Sequence, residues 1–294
     1  MITIITACYN GLSSAGAEAV RRCIMGVAAL PFPHEHLIMD GASSDGSVEF
    51  IKGLNAPSLQ IYSEKDSGIY DALNKGLAKA KGDYIYVLGL DDYIENPEAM
   101  ARVYRSAAEC GSDIIVSQVR FSDGRLNPEK ESEIYRLYPY MPFSHQGVLV
   151  RRVLLQSQGG YDTSYSIVAD HKHLLAAVMQ GCSVKYVPEQ YTVFSLNGVS
   201  CTSAETLLKE LARMYREFLP QCDAFLVGKG LLPITAVLRM LILGKSRYVR
   251  RMGFVALKER MWAKIKTSEY VFYYRLGVYF RRKRRRKPVT QEKV

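Results

Sequence analysis

Two adjacent aspartates, Asp91 and Asp92, follow a strongly apolar run at 84–88. Neighbouring like charges repel, and a hard divalent cation removes the conflict. Mg²⁺ or Mn²⁺ prefers oxygen ligands and shares them readily with substrate phosphates. Successive side chains on a strand face opposite ways, so one aspartate is expected to bind metal and the other to meet a ribose. Taken alone, such a pair is also what a solvated turn looks like. Asp40 ends another apolar run and enters the Gly/Ser-rich stretch 41–47. Its carboxylate can accept from a base or ribose, although turn chemistry alone accounts for Gly41, Asp45 and Gly46.

Three further groups have side chains suited to chemistry. Asp66 and Ser67 can cap a helix starting near Gly68. In that helix Ile69, Leu73, Leu77 and Ala80 share an apolar face, while Asp71, Asn74 and Lys75 share a polar one. The polar triple follows a strand exit, which directs it towards a site. Asp170 opens a later helix; a carboxylate there can take the proton of an attacking hydroxyl, or can serve as a helix cap. His145 and Gln146 stand at the entrance to a strand at 147–150.

The elements that position these residues alternate. Strands are expected at 2–8, 36–40, 59–63 and 83–88, with helices at 14–30, 47–54 and 69–81 between them. This is an α/β pattern with a mostly parallel sheet and helices on both faces. Ligands in such sheets bind beyond the carboxyl ends of the strands. Tyr9-Asn10-Gly11, the Asp40 turn, Glu64 to Gly68 and Gly89 to Asp92 stand at those four ends, so they are expected to converge. Beyond them, strands at 113–118, 147–150 and 184–187 and a helix at 170–180 are less regular. A helix at 204–218 stops at Pro220, which divides the chain into a domain at 1–220 and a helical basic region at 221–294.

Charge supports that division. Of the 294 residues, the last 66 carry 19 Lys and Arg against 3 Asp and Glu, a net +16, whereas residues 1–228 are at −6. In this tail aromatic and aliphatic residues interleave with Lys and Arg, and it ends in the basic run 281–287. A basic amphipathic segment of this kind suits an anionic membrane surface. The apolar stretch 231–244 contains Pro233 and Arg239 and is too short for a membrane span. The six cysteines form no Cys-x-x-Cys pair, which argues against structural zinc and a disulfide framework. No basic leader precedes the first strand. Together these point to the cytoplasm, peripheral on the inner face of the plasma membrane.

The segments TACYN at 6–10, IMDGASSDGS at 38–47, SEKDSGIYDALNKG at 63–76, GDYIYVLGLDD at 82–92, FSHQGVLVRR at 143–152 and GGYDTSYSIVADHKHLL at 159–175 resemble, in order and spacing, the GT-A-fold glycosyltransferases of family 2. The likeness is greatest to those that build bacterial surface polysaccharides of the colanic-acid type, and it covers roughly residues 1–200. It implies an inverting transferase that moves a sugar from a nucleoside-diphosphate sugar to a saccharide or lipid-linked saccharide. Ala7 and Tyr9 would lie against the base, Asp40 and Asp66 would belong to the nucleotide pocket, and Asp92 would bind the Mg²⁺ or Mn²⁺ with Asp91 alongside. Asp170 would be the base, and His145 and Gln146 would lie near the acceptor. Gly41 and Ala169 stand where many members carry acidic residues. Two other functions compete. A Mg²⁺-dependent nucleotidyltransferase would carry a basic Gly-rich loop after the first strand, but no Lys or Arg occurs before Arg21. A tail-driven nucleic-acid-binding protein leaves the carboxylates without a purpose, so no nucleic-acid partner is expected.

Overall fold

The computed structural model describes residues 1–128 and 143–196, together with 205–207, 209–214 and 217–218. The chain divides into two compact units, Met1–Glu210 and Leu211–Val294. In the second unit the described residues, 211–214 and 217–218, are helical. The expected basic region 221–294 lies outside the described residues.

The first unit is built on one sheet. β1 (Ile2–Cys8), β2 (His34–Asp40), β3 (Leu59–Ser63) and β4 (Tyr84–Val87) pair in parallel in the order β3-β2-β1-β4. The connecting segments carry α1 (Gly11–Ser14), α2 (Ala17–Ala28), α3 (Ser47–Gly53) and α4 (Ile69–Lys79). The expected helix at 14–30 thus breaks at Gly16, whose φ of 87° is outside the helical region. Six of the seven β1 residues are buried, as a central strand covered on both faces requires.

The rest of the sheet departs from the parallel expectation. β5 (Tyr93–Ile94), β6 (Ile114–Phe121), β7 (Leu126–Asn127), β8 (Val148–Arg151) and β9 (Val184–Phe194) complete nine strands among the described residues. β8 runs antiparallel to β4 and to β6, and β9 runs parallel to β6. β5 and β7 are short antiparallel additions to β9 and β6.

Between β5 and β6 lies α5 (Pro97–Cys110), in a stretch where the sequence reading assigns no helix. Its signals are local. Asn96 accepts from the Ala99 N–H at 3.0 Å, Pro97 occupies the first turn, and Gly111 ends the helix in the left-handed conformation. Met100, Val103 and Ala107 of α5 pack with Ile2, Ile4, Tyr84, Tyr86 and Leu149 in one core cluster. Burial of each of the larger aliphatic side chains is worth roughly 1.5–3 kcal/mol. Ile38 of β2 packs with Val20, Ile24 and Ile51 in a second cluster. α6 (Arg152–Ser157) and α7 (Ala169–Met179) follow β8, and α7 carries Asp170.

Candidate active site

A cleft of about 710 Å³ opens beyond the carboxyl ends of β1 and β4. Ala7, Tyr9, Asp66, Asp91, Asp92, His145, Gln146 and Asp170 all line it. Asp40 does not. It is buried, accepts from the Ser43 N–H at 3.1 Å and the Ser63 hydroxyl at 2.6 Å, and also accepts from the Ser43 hydroxyl. Asp40 thus ties the ends of β2 and β3 together. Gly41 provides the space beside it: a Cβ there would stand 2.6 Å from Asp66 Oδ2 and 3.3 Å from the Tyr9 ring. The side chain missing at position 41 is what lets Asp66 approach this strand end. Tyr9 is 66% exposed, so its ring is available to a ligand.

Asp91 and Asp92 lie in the turn after β4, so strand alternation does not separate them. Burial does. Asp92 is 1% exposed, and Asp91 is half-buried. Gln146 Nε2 donates to Asp92 Oδ2 at 2.9 Å, and the Ser195 N–H donates to Oδ1 at 2.8 Å. Burial, and then the charge of Asp91, push the Asp92 carboxyl up to about 7. Neither aspartate has a Lys or Arg ion-pair partner among the described residues, and no group of three metal-ligating side chains occurs among them. A cation is the charge this donor set lacks. One or two carboxylates, with the remaining ligands from phosphates, is the usual complement of a Mg²⁺ site. Each Asp92 oxygen keeps a second lone pair.

Asp170 occupies the second position of α7. The helix is not capped by its own residues; its N-cap is Val168. The carboxylate of Glu210 takes that role from a distance. It accepts from the Ser166 N–H at 2.7 Å, the Ser166 hydroxyl at 2.6 Å, and the N–H groups of Ile167 and Val168 at 2.9 and 3.2 Å. An anion at this end also suits the helix dipole.

Two side chains hold Asp170 itself. His145 Nδ1 lies 3.1 Å from Oδ2, and the Tyr70 hydroxyl lies 3.1 Å from Oδ1 while also donating to the Ile167 carbonyl at 2.6 Å. Burial pushes the Asp170 carboxyl up, but the hydrogen bond and charge of His145, with the His171 N–H, bring it below its usual value. Burial likewise lowers the His145 imidazole. The hydrogen bond to Asp170 and the charges of Asp170 and Asp92 outweigh it and raise His145 above 6.5.

The polar face of α4 has another use than the one expected. None of Asp71, Asn74 and Lys75 lines the cleft. Asn74 bonds the Tyr161 backbone in both directions, each at 2.8 Å, and Lys75 donates to the Lys65 carbonyl at 2.7 Å. Nor do Asp66 and Ser67 act as the N-cap of α4, which is Gly68. Instead Asp66 accepts from the Gly68 N–H, and Asp71 accepts from the Ser67 N–H. Tyr70 is the residue that reasoning from the sequence overlooked. Its hydroxyl reaches Asp170 from α4, and its place within DSGIYDALNKG is the signal that could have found it.

Residues 3–165 match the family model described as glycosyl transferase family 2. A glycosyltransferase of Mycobacterium tuberculosis H37Rv is 28% identical over 193 residues, covering 60% of this chain and 69% of that protein. Among solved structures, Staphylococcus aureus TarS 1–349 in complex with UDP-GlcNAc superposes with a TM-score of 0.61 at 17% identity, covering 76% of this chain and 66% of that one. This chain therefore spans just under two thirds of that 1–349 fragment and 47% of the longer TarS chain. A mannosyltransferase from Pyrobaculum calidifontis, in complex with GDP-Man and Mn²⁺, superposes with a TM-score of 0.60 at 16% identity over 95% of this chain and 83% of its own. At these identities the two structural likenesses are likenesses of fold.

Proposed function

Because the chain belongs to glycosyl transferase family 2, we propose that it moves a sugar from a nucleoside-diphosphate sugar to an acceptor hydroxyl, with inversion at the sugar carbon. Its fold is the GT-A fold expected from the sequence. The observation that carries the reading is the meeting of two unlike carboxylate centres in one cleft, Asp91–Asp92 and Asp170–His145. The first suits a diphosphate held through a divalent cation. The second suits removal of a proton.

Each lining group has a part in this reading. Tyr9 and Ala7 offer a surface against a nucleoside base, and Asp66 offers a carboxylate to the nucleoside. Asp91 and Asp92 would hold Mg²⁺ or Mn²⁺, which when bound neutralises charge on the leaving diphosphate. Gln146 and the Ser195 N–H fix the orientation of Asp92. The acceptor hydroxyl loses its proton to the Asp170–His145 pair as its oxygen bonds to the sugar carbon and the nucleoside diphosphate departs. Donors bound to relatives of this fold support the nucleotide-sugar assignment, with UDP-GlcNAc in one and GDP-Man with Mn²⁺ in another.

The acceptor we propose is a saccharide carried on a lipid, in bacterial surface polysaccharide synthesis, because the +16 charge of residues 229–294 suits an anionic membrane surface. Release of free nucleoside diphosphate from a panel of UDP-, GDP- and dTDP-sugars, with Mn²⁺ or Mg²⁺, tests the donor half. Silence with every donor would sink it. Vesicle flotation tests the acceptor half. The full chain should float with vesicles containing phosphatidylglycerol and a chain lacking 230–294 should not. Equal flotation of the two would remove the membrane from the proposal.

A further inference from the structure

Asp170 has two oxygens, and the protein engages both. Oδ1 faces the Tyr70 hydroxyl and Oδ2 faces His145 Nδ1, each at 3.1 Å, while the His171 N–H adds to the same carboxyl. His145 is arranged differently. An ionised carboxylate can only accept, so the hydrogen between the pair sits on Nδ1, and Nε2 of the neutral ring is bare. Nε2 has no partner among the described residues and is not one of their buried unpartnered atoms. The imidazole is also the more exposed of the two, 34% against 17%, and both residues line the cleft.

We infer that His145 Nε2 is the atom that receives the acceptor's proton, and that Asp170 is the carboxylate that holds His145 in the tautomer with Nε2 bare. The inference rests on the glycosyltransferase reading and divides the work of its proton-accepting pair. In the step the acceptor O–H bond breaks and its proton passes to Nε2. The acceptor oxygen bonds to the sugar carbon, and the bond from that carbon to the diphosphate oxygen breaks, its electron pair leaving with the nucleoside diphosphate. Nδ1 keeps its hydrogen, so His145 becomes imidazolium facing Asp170, and the charge of Asp92 also favours that form. The proton then returns to solvent. Asp170 is the less accessible member of the pair, 17% exposed against 34%. Its carboxyl, held below the usual range, is also the weaker acceptor at neutral pH.

The test uses the full chain, Mn²⁺ and the donor released fastest from the same panel, with water as the acceptor. His145→Gly should slow nucleoside diphosphate release by roughly 10²-fold or more, the scale of losing a general base. Added imidazole should restore at least tenfold of it, because the cavity left by the ring admits a free base. His145→Asn can still donate to Asp170 but has no Nε2, and should stay as slow as the glycine variant. A thermal shift with UDP or GDP plus Mn²⁺ should match the parent in both. The inference is overturned if His145→Asn recovers the parent rate, since the ring would then only position Asp170. It is equally overturned if imidazole fails to rescue His145→Gly while that variant still binds nucleotide. In either case the glycosyltransferase reading stands and the proton goes to Asp170. No release by the parent protein with any donor overturns both.

Discussion

Asp92 and Asp170 face the same cleft, and each carboxylate is held by donors of the protein, yet their carboxyls are driven in opposite directions. Asp92 is pushed up to about 7, and Asp170 is drawn below its usual value. Both are burdened by burial, so burial does not separate them. The neighbour does: Asp92 stands beside another acid, and Asp170 stands beside an imidazole. One centre is short of positive charge, and the other has a hydrogen-bond donor in the His145 imidazole. In the proposed function the same residue type would thus serve cation binding in one place and proton handling in the other.

The sharpest way to break this comparison is Asp170→Asn. It keeps the shape, removes the counter-charge, and should reduce nucleoside diphosphate release by roughly 10²-fold or more with nucleotide binding unchanged. Weakened binding with normal turnover would reduce Asp170 to a structural residue.

Asp92→Asn addresses the other centre. Cation affinity should fall by roughly 10- to 100-fold, read as loss of the Mn²⁺-dependent thermal shift. Asparagine is preferable to alanine, because alanine would leave Gln146 and the Ser195 N–H with no acceptor in a buried position. Turnover that persists in chelator would remove metal from the site.

A pH profile sharpens the contrast further. With His145 Nε2 as the proposed proton acceptor, kcat should fall as pH drops through the His145 value, which lies above its usual one. Asp170→Asn removes the charge and hydrogen bond that do the raising, so the acid limb of the residual activity should move to lower pH. A limb that stays in place would separate His145 from Asp170.

The smallest effects come from removing one supporting donor on each side. Tyr70→Phe should lower turnover about fivefold, corresponding to the roughly 1 kcal/mol of an ordinary hydrogen bond, and leave Mn²⁺ binding alone. Gln146→Leu should weaken Mn²⁺ binding by a similar factor at saturating-cation turnover close to the parent's. Crossed effects would mean that the two centres act as one.

Much of this arrangement could be read from the sequence, and what escaped has a common cause. The four parallel strands announce themselves through short apolar runs, and the polar residues after β1, β3 and β4 mark the cleft edge. What escaped depends on partners far along the chain. Asp170 meets Tyr70 from 100 residues away, and Asn74 meets Tyr161 from 87. The helical spacing of Asp71, Asn74 and Lys75 says that they share a face but not what that face meets. Asp40 likewise has the composition of a ligand-binding turn, and only the neighbouring strand end at Ser63 reveals that it ties two strand ends together. α5 escaped for a different reason. Its Asn96-Pro97 start and Gly111 stop are local and visible, but an assigned strand on either side drew no attention to the stretch between.

Glu210 reaches back to the loop before α7. Four hydrogen-bond donors of the 166–168 loop converge on its carboxylate, and those residues lead directly into the helix that carries Asp170. Cutting the carboxyl end back past residue 210 should therefore cost activity through the loss of this carboxylate. A protein ending just beyond that glutamate keeps the latch on its active-site loop, and one ending just before it leaves three backbone N–H groups to water.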